Sequence, residues 1–261
     1  MNRSNSFRII LLFIVVLLIS CDDIEEPSNK LPDVYIVGWK LNEQGIMVAT
    51  LWKNGKEQDL SDGTYEANSL SVYISESNLY VAGSEKNSHG YLVATLWKNG
   101  VAQNLTDNTR STFANCVYVL DSDIYVVGYE RIPDPLDYDY LIMPNLIAKL
   151  WRNGVEQNLS DGTGYDIAYF VYISGNDVYV AGGHHTAKLW KNGKVQYLSD
   201  ETNDTSGSSA SSVYVFGNDV YVTGSKKNSH GYLVATLWKN GVGQDLSEGS
   251  SNAMANCVFV K

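Results

Sequence analysis

Two nearly identical segments carry the residues best suited to contact a small polar ligand. Residues 83–93 and 224–234 differ at one position, and both contain Asn-Ser-His-Gly-Tyr. Each offers an amide, an imidazole and a phenol, groups that exchange hydrogen bonds and present ring faces. They are Asn87, His89 and Tyr91 in the first segment, and Asn228, His230 and Tyr232 in the second. One interpretation is a pair of equivalent binding loops; the other is a recent duplication without functional meaning.

A second candidate is the long segment 129–144, in which Tyr and Asp alternate beside an apolar triplet. Its central residues are Asp137, Tyr138, Asp139 and Tyr140. Aromatic faces for stacking and carboxylates for hydroxyl groups suit a sugar or a peptide. The alternative is an inserted loop that folds over its own neighbours.

Metal and cofactor chemistry have little support. His184 and His185 are adjacent, and adjacent side chains of an extended chain point to opposite sides, so we expect no metal site there and no cofactor. A recurring acid follows each repeat and most simply closes a turn, although five such acids together could collect a cation. These acids are Asp62, Asp107, Asp161, Asp200 and Glu248.

The elements that must position these residues form a repeat. The motif Leu-Trp-Lys-Asn-Gly, once with Arg for Lys, occurs five times, and successive copies begin 45, 54, 39 and 48 residues apart. Each repeat offers four short apolar or alternating runs, here called strands A to D. Tight polar turns join A to B, and Asn-Gly, a strong hairpin signal, joins C to D. Four antiparallel strands at this period are typical of a propeller blade.

We therefore predict an all-β, five-bladed β-propeller of four-stranded antiparallel blades over residues 33–261. Strands A to C read as buried and strand D as the polar outer edge. The first repeat begins at strand B, and Val258–Lys261 reads as a spare strand A. The spare strand is expected to pair with the N-terminal strands B to D and close the ring, and the repeated Trp side chains are expected to pack between blades.

Propeller geometry separates two faces. The A–B and C–D turns share one, here called the turn face, where the Lys or Arg of the motif forms a solvated rim. The B–C and D–A loops share the other, here called the loop face. The loop face carries the variation in length and sequence, and variable loops on a rigid scaffold are where binding usually lies.

The N-terminal residues have the features of a targeting segment. Residues 1–20 have Arg3 and Arg8 before an apolar run too short for an ordinary membrane span, which predicts a signal peptide. The run ends Leu-Ile-Ser-Cys and resembles the lipobox of bacterial lipoproteins, which implies that Cys21 carries a lipid anchor to the membrane. Residues 21–32 form an acidic tether. Acids after the lipidated cysteine resemble a surface-export signal of some Gram-negative phyla and an inner-membrane retention signal of enteric bacteria; four acids within five residues favour the outer membrane and the cell surface.

The charge composition of the chain bears on which partners it can bind. The chain has 29 acidic and 19 basic residues and no basic cluster, which argues against nucleic acid. Cys116 and Cys257 occupy the same repeat position, so both are expected to be small buried residues rather than a disulfide. We expect a monomer.

The repeat unit resembles known blades. Tyr-Val-Ala-Gly in strand B resembles kelch blades, although their second Gly recurs only at Gly183. The unit Ala-x-Leu-Trp-x-x-Gly-x-x-x-x-Leu is more similar to the extracellular HAF repeat, which implies an exported repeat domain. Neither resemblance implies a catalytic residue.

The functional reading is a cell-envelope lipoprotein whose propeller binds a glycan or peptide through the loop face. The alternatives are a polysaccharide-active hydrolase or lyase with one central site, and a purely structural or partner-binding envelope protein. The chain lacks a Gly-x-Ser-x-Gly elbow, His-Glu-x-x-His, a Walker loop and a dinucleotide fingerprint, so binding is favoured over catalysis. The separated carboxylates of glycosidases would leave no local motif.

Overall fold

The computed structural model describes residues 31–132, 145–199 and 207–261. In these ranges the chain forms nineteen strands in five antiparallel sheets, four of four strands and one of three. This confirms the predicted all-β, five-bladed propeller. The predicted signal peptide, Cys21, most of the tether and the Tyr/Asp segment around residues 137–140 lie outside the described residues. In the part of the chain that is described, no helix has the length and apolar character needed to cross a membrane.

The blades follow one another along the chain. Blade 1 has β1 (Tyr35–Leu41), β2 (Met47–Lys53) and β3 (Lys56–Asp59). Blade 2 has β4 (Ala67–Ser75), β5 (Asn78–Lys86), β6 (Leu92–Lys98) and β7 (Val101–Asn104). Blade 3 has β8 (Thr112–Leu120), β9 (Asp123–Arg131), β10 (Leu146–Arg152) and β11 (Val155–Asn158). Blade 4 has β12 (Ala168–Ser174), β13 (Asp177–Gly182), β14 (Lys188–Lys191) and β15 (Lys194–Tyr197). Blade 5 has β16 (Ser209–Phe216), β17 (Asp219–Lys227), β18 (Leu233–Lys239) and β19 (Val242–Asp245).

The Asn-Gly turns form the predicted C–D hairpins. In all five, Asn adopts φ between 51° and 53° and the following Gly is also left-handed, the combination that a tight two-residue hairpin requires. The Asn side chain has a second role, since its Oδ1 accepts the backbone N–H at the start of strand B. In blade 2, for example, Leu79 donates to Asn99 over 2.8 Å. The motif therefore ties strands B, C and D together at the turn face.

The core lies between the blades. Strand A of blades 3, 4 and 5 packs across strands A and B of the preceding blade, and β4 packs across β1 and β2 of blade 1. All residues of the five D strands are exposed. The indoles of Trp97, Trp151, Trp190 and Trp238 are at most 1% exposed, which confirms the motif tryptophans as inter-blade packing. Trp52 in blade 1 is half-buried.

The predicted ring closure is not formed as expected. Residues 251–261 form no strand, and no described strand pairs with the free edge of β1, where strand A was expected. Residues 255–259 lie beside β16 instead, and blade 1 makes no extensive contact with blade 5. Blade 1 does not cover the last residues, and Cys257 is exposed. This corrects the expectation of two buried cysteines. Cys116 is buried, and both thiols are free.

Candidate functional site

The asparagines of the two histidine loops have a structural role. Asn87 Oδ1 accepts the backbone N–H groups of His89 and Tyr91, both over 3.0 Å, and its Nδ2 donates to the carbonyl of Asn108. Asn228 makes the same three bonds in blade 5. Asn42 makes them in blade 1, although the sequence of that loop is different. These amides are therefore committed to shaping the B–C hairpins.

The histidine and tyrosine side chains of these loops are not brought together. Tyr91 and Tyr232 are 39% and 41% exposed, and they lie on blades 2 and 5. A cavity of about 280 Å³ lies between the B–C loops of blades 1 and 2. Its walls include Asn87, but His89 and Tyr91 are not among them. The binding role predicted for these six residues remains a prediction.

Three of the recurring acids, Asp62, Asp107 and Asp161, close turns as expected, whereas Asp200 lies outside the described residues. Thr64 donates its backbone N–H to Asp62, and Thr109 and Thr163 donate both backbone and hydroxyl to the acid two residues earlier. Hydrogen bonds from Thr109 lower the pKa of Asp107, because they stabilise its ionised form. No group of three or more potential ligand residues gathers as a metal site within the described ranges.

A cluster of rings lies on the loop face where blades 3 and 4 meet, and sequence reasoning did not find it. Its members, here called the aromatic cluster, are Phe113, Tyr129, Tyr165, Tyr169, His184 and His185. Phe113 and Tyr129 stack across β8 and β9 with centroids 4.5 Å apart and planes at 11°. Tyr165, from the link between β11 and β12, lies 4.5 Å from His184 and 5.8 Å from His185. B–C and D–A elements therefore supply one aromatic surface.

The two histidines share this surface, so the expectation that they point to opposite sides was wrong. Their ring centroids are 5.5 Å apart. The physical reason is Gly183, which follows the end of β13 with φ +90°, so the chain bends where an extended strand was assumed. A Cβ at this position would lie 1.9 Å from the carbonyl oxygen of Thr186. Glycine is required there, and the bend turns both imidazoles toward Tyr165.

Burial disfavours the charged forms of His184, Tyr129 and Tyr169 in this cluster. Burial, with a smaller contribution from the neighbouring His185, lowers the pKa of His184. Burial also raises the pKa of Tyr129 and that of Tyr169, each to about 12. The hydroxyl of Tyr169 lies 3.5 Å from Nδ1 of His184. Burial therefore favours the neutral forms of these three side chains, which combine hydrogen-bonding groups with apolar ring faces.

Two described residues of blade 3 bracket the predicted Tyr/Asp segment. The backbone N–H of Ile132 donates to the carbonyl of Asn145 over 2.9 Å. The residues between them, including the predicted residues 137–140, lie outside the described ranges.

Comparison with known proteins gives weak likenesses. No family model and no curated protein matches the chain. Among solved structures, the computationally designed Ika8 protein shares 16% identity at a TM-score of 0.40, over 89% of this chain and 76% of that one. A GH43_12 protein from a capybara gut metagenome shares 12% at 0.36, over 85% of this chain and 55% of that one. The designed Ika4 protein shares 16% at 0.33, over 69% and 97%. The propeller assignment rests on the strand pairing of the chain itself.

Proposed function

We propose that this chain is a glycan-binding propeller and that the aromatic cluster is its binding surface. The observation that carries the proposal is the convergence of Tyr165 with His184 and His185 on the loop face. Sugar rings present apolar C–H faces and a rim of hydroxyl groups. Aromatic faces contact the first, and phenol and imidazole groups exchange hydrogen bonds with the second.

A glycan suits this surface better than a peptide does. Peptides recognised by sheets pair with an exposed strand edge, whereas the central rings of the cluster, Tyr165, His184 and His185, come from segments outside the strands. The rings are half-buried and contact one another, so they are held in place before a ligand arrives. Such pre-organisation lowers the entropic cost of binding.

We also propose that the propeller is held in the cell envelope by a lipid on Cys21, with residues 22–32 as the tether. The support is the lipobox-like sequence and the acidic run after it. Metabolic labelling with an alkyne fatty acid tests this proposal directly. Labelling of the intact chain and its loss in Cys21→Ser are expected; equal labelling of both would overturn the anchor.

Binding is tested with the Cys21→Ser chain on a glycan array, followed by calorimetry with the best ligand. Tyr165→Ala is expected to weaken affinity by about fivefold, because one stacked ring contributes on the order of 1 kcal/mol. Tyr91→Ala, an exposed tyrosine on blade 2, is the matched control and should leave affinity unchanged. Loss of binding in the control alone would instead assign the site to the histidine loops. Silence across the array would overturn glycan binding.

A further inference from the structure

Two cavities of similar size lie at equivalent positions between blades. The first, about 580 Å³, lies between the link from β7 to β8 and the outer strands of blade 3. The second, about 560 Å³, lies between the link from β11 to β12 and the outer strands of blade 4. Both fall in the size range of small-molecule sites. The cavity at blade 3 is here called the first groove and that at blade 4 the second groove.

The repeat departs from its own pattern beside these grooves. The residue before Leu-Trp is Thr in blades 1, 2 and 5, where its hydroxyl is fully buried and donates to the carbonyl two residues earlier over 2.8 to 2.9 Å. In blades 3 and 4 the same position holds Lys149 and Lys188. Lys149 is 2% exposed. Because a buried ammonium group is costly unless it is paired, two such replacements call for an explanation.

Each lysine is neutralised by carboxylates from different elements. In blade 3, Lys149 Nζ lies 2.6 Å from Glu130 Oε2 and also contacts Glu156. Arg110 donates to the other oxygen of Glu130 over 2.7 Å. Burial raises the pKa of Glu130, but the bonds from Lys149 and Arg110 outweigh it and hold the pKa below its ordinary value. Arg110, Glu130 and Glu156 line the first groove, and the buried Lys149 holds the two glutamates without lining it.

The second groove reaches a similar arrangement by a different route. Lys188 Nζ donates to both oxygens of Asp166, at 2.7 and 2.9 Å. Asp166 occupies the link from β11 to β12, and the corresponding acid in blade 3 comes from β9. Lys188 also lies 5.3 Å from the centroid of Tyr197, whose ring is half exposed in the groove wall. Two adjacent blades thus place fixed donors and acceptors at the same position by unrelated substitutions.

We propose that the two grooves are binding sites for neutral, hydroxyl-rich saccharide units, one in each groove. The fixed carboxylates accept hydroxyl hydrogens, and Arg110 in the first groove and Lys188 in the second donate to hydroxyl oxygens. In the second groove, Tyr197 supplies a ring face for the apolar side of a sugar. Tyr165 lines neither groove, although its neighbours Gly164 and Asp166 line the second. The grooves are therefore distinct from the aromatic cluster, go beyond the proposed function and share only its class of ligand.

The charges of the walls select against other small ligands. Carboxylates outnumber cationic groups in both linings, three to one in the first groove and two to one in the second, which repels an anion. A metal ion would have to displace ammonium and guanidinium groups that already lie 2.6 to 2.9 Å from the carboxylates. A neutral polyhydroxylated ligand requires neither change.

The test uses the full chain carrying Tyr165→Ala, so that the aromatic cluster does not contribute. Neutral hexoses and N-acetylhexosamines at millimolar concentration are titrated by calorimetry, with a uronic acid as the anionic comparison. Two equivalents of one neutral sugar are expected to bind per chain. No binding, or tighter binding of the uronic acid, overturns the inference. Binding that vanishes only when Tyr165 is replaced would overturn the grooves while supporting the aromatic cluster.

Two variants then locate the sites. Asp166→Thr/Lys188→Thr rebuilds the second groove with residues that the chain uses at the equivalent positions Thr112 and Thr95, and should reduce the stoichiometry from two to one. Tyr197→Ala keeps the ion pair and is expected to weaken the second site by about tenfold with an unchanged melting temperature. Lys194→Ala, also on β15 and exposed, is the control. Two equivalents in the double variant, together with an unchanged second-site affinity in Tyr197→Ala, would overturn the assignment.

Discussion

The backbone N–H of Val258 lies 3.5 Å from the Oγ of Ser212 and donates to it. The same bond joins Val117 to Ser71 between blades 3 and 2, at 3.2 Å. Phe259 extends the comparison, because its ring lies 5.1 Å from that of Tyr214, as successive strand-A tyrosines lie 4.9 to 5.6 Å apart. The last residues therefore hold the position of a next strand A, next to blade 5, although they form no ladder with β1.

This placement predicts the register in which the ring closes. In blade 3, Cys116 of β8 lies opposite Val127 of β9. The equivalent residues where the two ends of the chain would close the ring, here called the seam, are Cys257 and Val37. Val37→Cys is therefore expected to form a disulfide with Cys257 under mild oxidation, since directly opposed residues of antiparallel strands have a suitable Cα separation. Mass spectrometry of the non-reduced monomer would detect the link.

The control for this prediction is Ile36→Cys, one position along β1. Side chains alternate between the faces of a strand, so this thiol should not reach Cys257. A link in Ile36→Cys without one in Val37→Cys would contradict the register. Links between chains only would show that the open edge of β1 pairs with a second copy.

The hairpin asparagines give a prediction about stability. Asn87→Ala removes an acceptor of two backbone N–H groups and a donor to Asn108, so we expect a loss of about 1 to 2 kcal/mol in the free energy of unfolding. Asn42→Ala in blade 1 should cost a similar amount, because the same bonds are made there. Chemical denaturation measures both, and Ser88→Ala is the neighbouring control. A neutral Asn87→Ala that abolished ligand binding would restore the binding interpretation.

The five sequence repeats made the architecture predictable, but they gave less information about the hairpin asparagines and the grooves. Five copies of one motif report the same hairpin and the same buried Trp, so errors at single positions cancel. Asn42 was not recognised as equivalent to Asn87, because the rest of its loop differs. When the five repeats are aligned, Lys149 and Lys188 stand where the other repeats have Thr. This difference indicates the grooves only once the acids from other elements are seen beside the two lysines.

The aromatic cluster and the seam could not be derived from the sequence for a different reason. The cluster takes its rings from β8, β9, β12 and two loops, and their proximity follows from packing between blades rather than from local spacing. His184 and His185 were misjudged because Gly183 bends the chain just beyond β13. At the seam, the repeat pattern shows that the first repeat lacks a strand A and that the last residues supply a spare one. It does not show whether the two ends of the chain come close enough to pair.

His184 gives a pH prediction whose sign follows from its environment. Its pKa is lowered in the folded chain, mainly by burial and further by His185, so the unfolded chain binds the proton more readily. Its contribution to stability is fully present above the ordinary pKa of 6.5 and is lost as the pH falls from there through the folded pKa. The melting temperature is therefore expected to decrease over that window, and glycan affinity at the aromatic cluster should decrease with it. His184→Gln should flatten both profiles, whereas the exposed His89→Gln should leave them unchanged. A wild-type profile that His184→Gln leaves as steep as before would show that other groups carry the pH dependence.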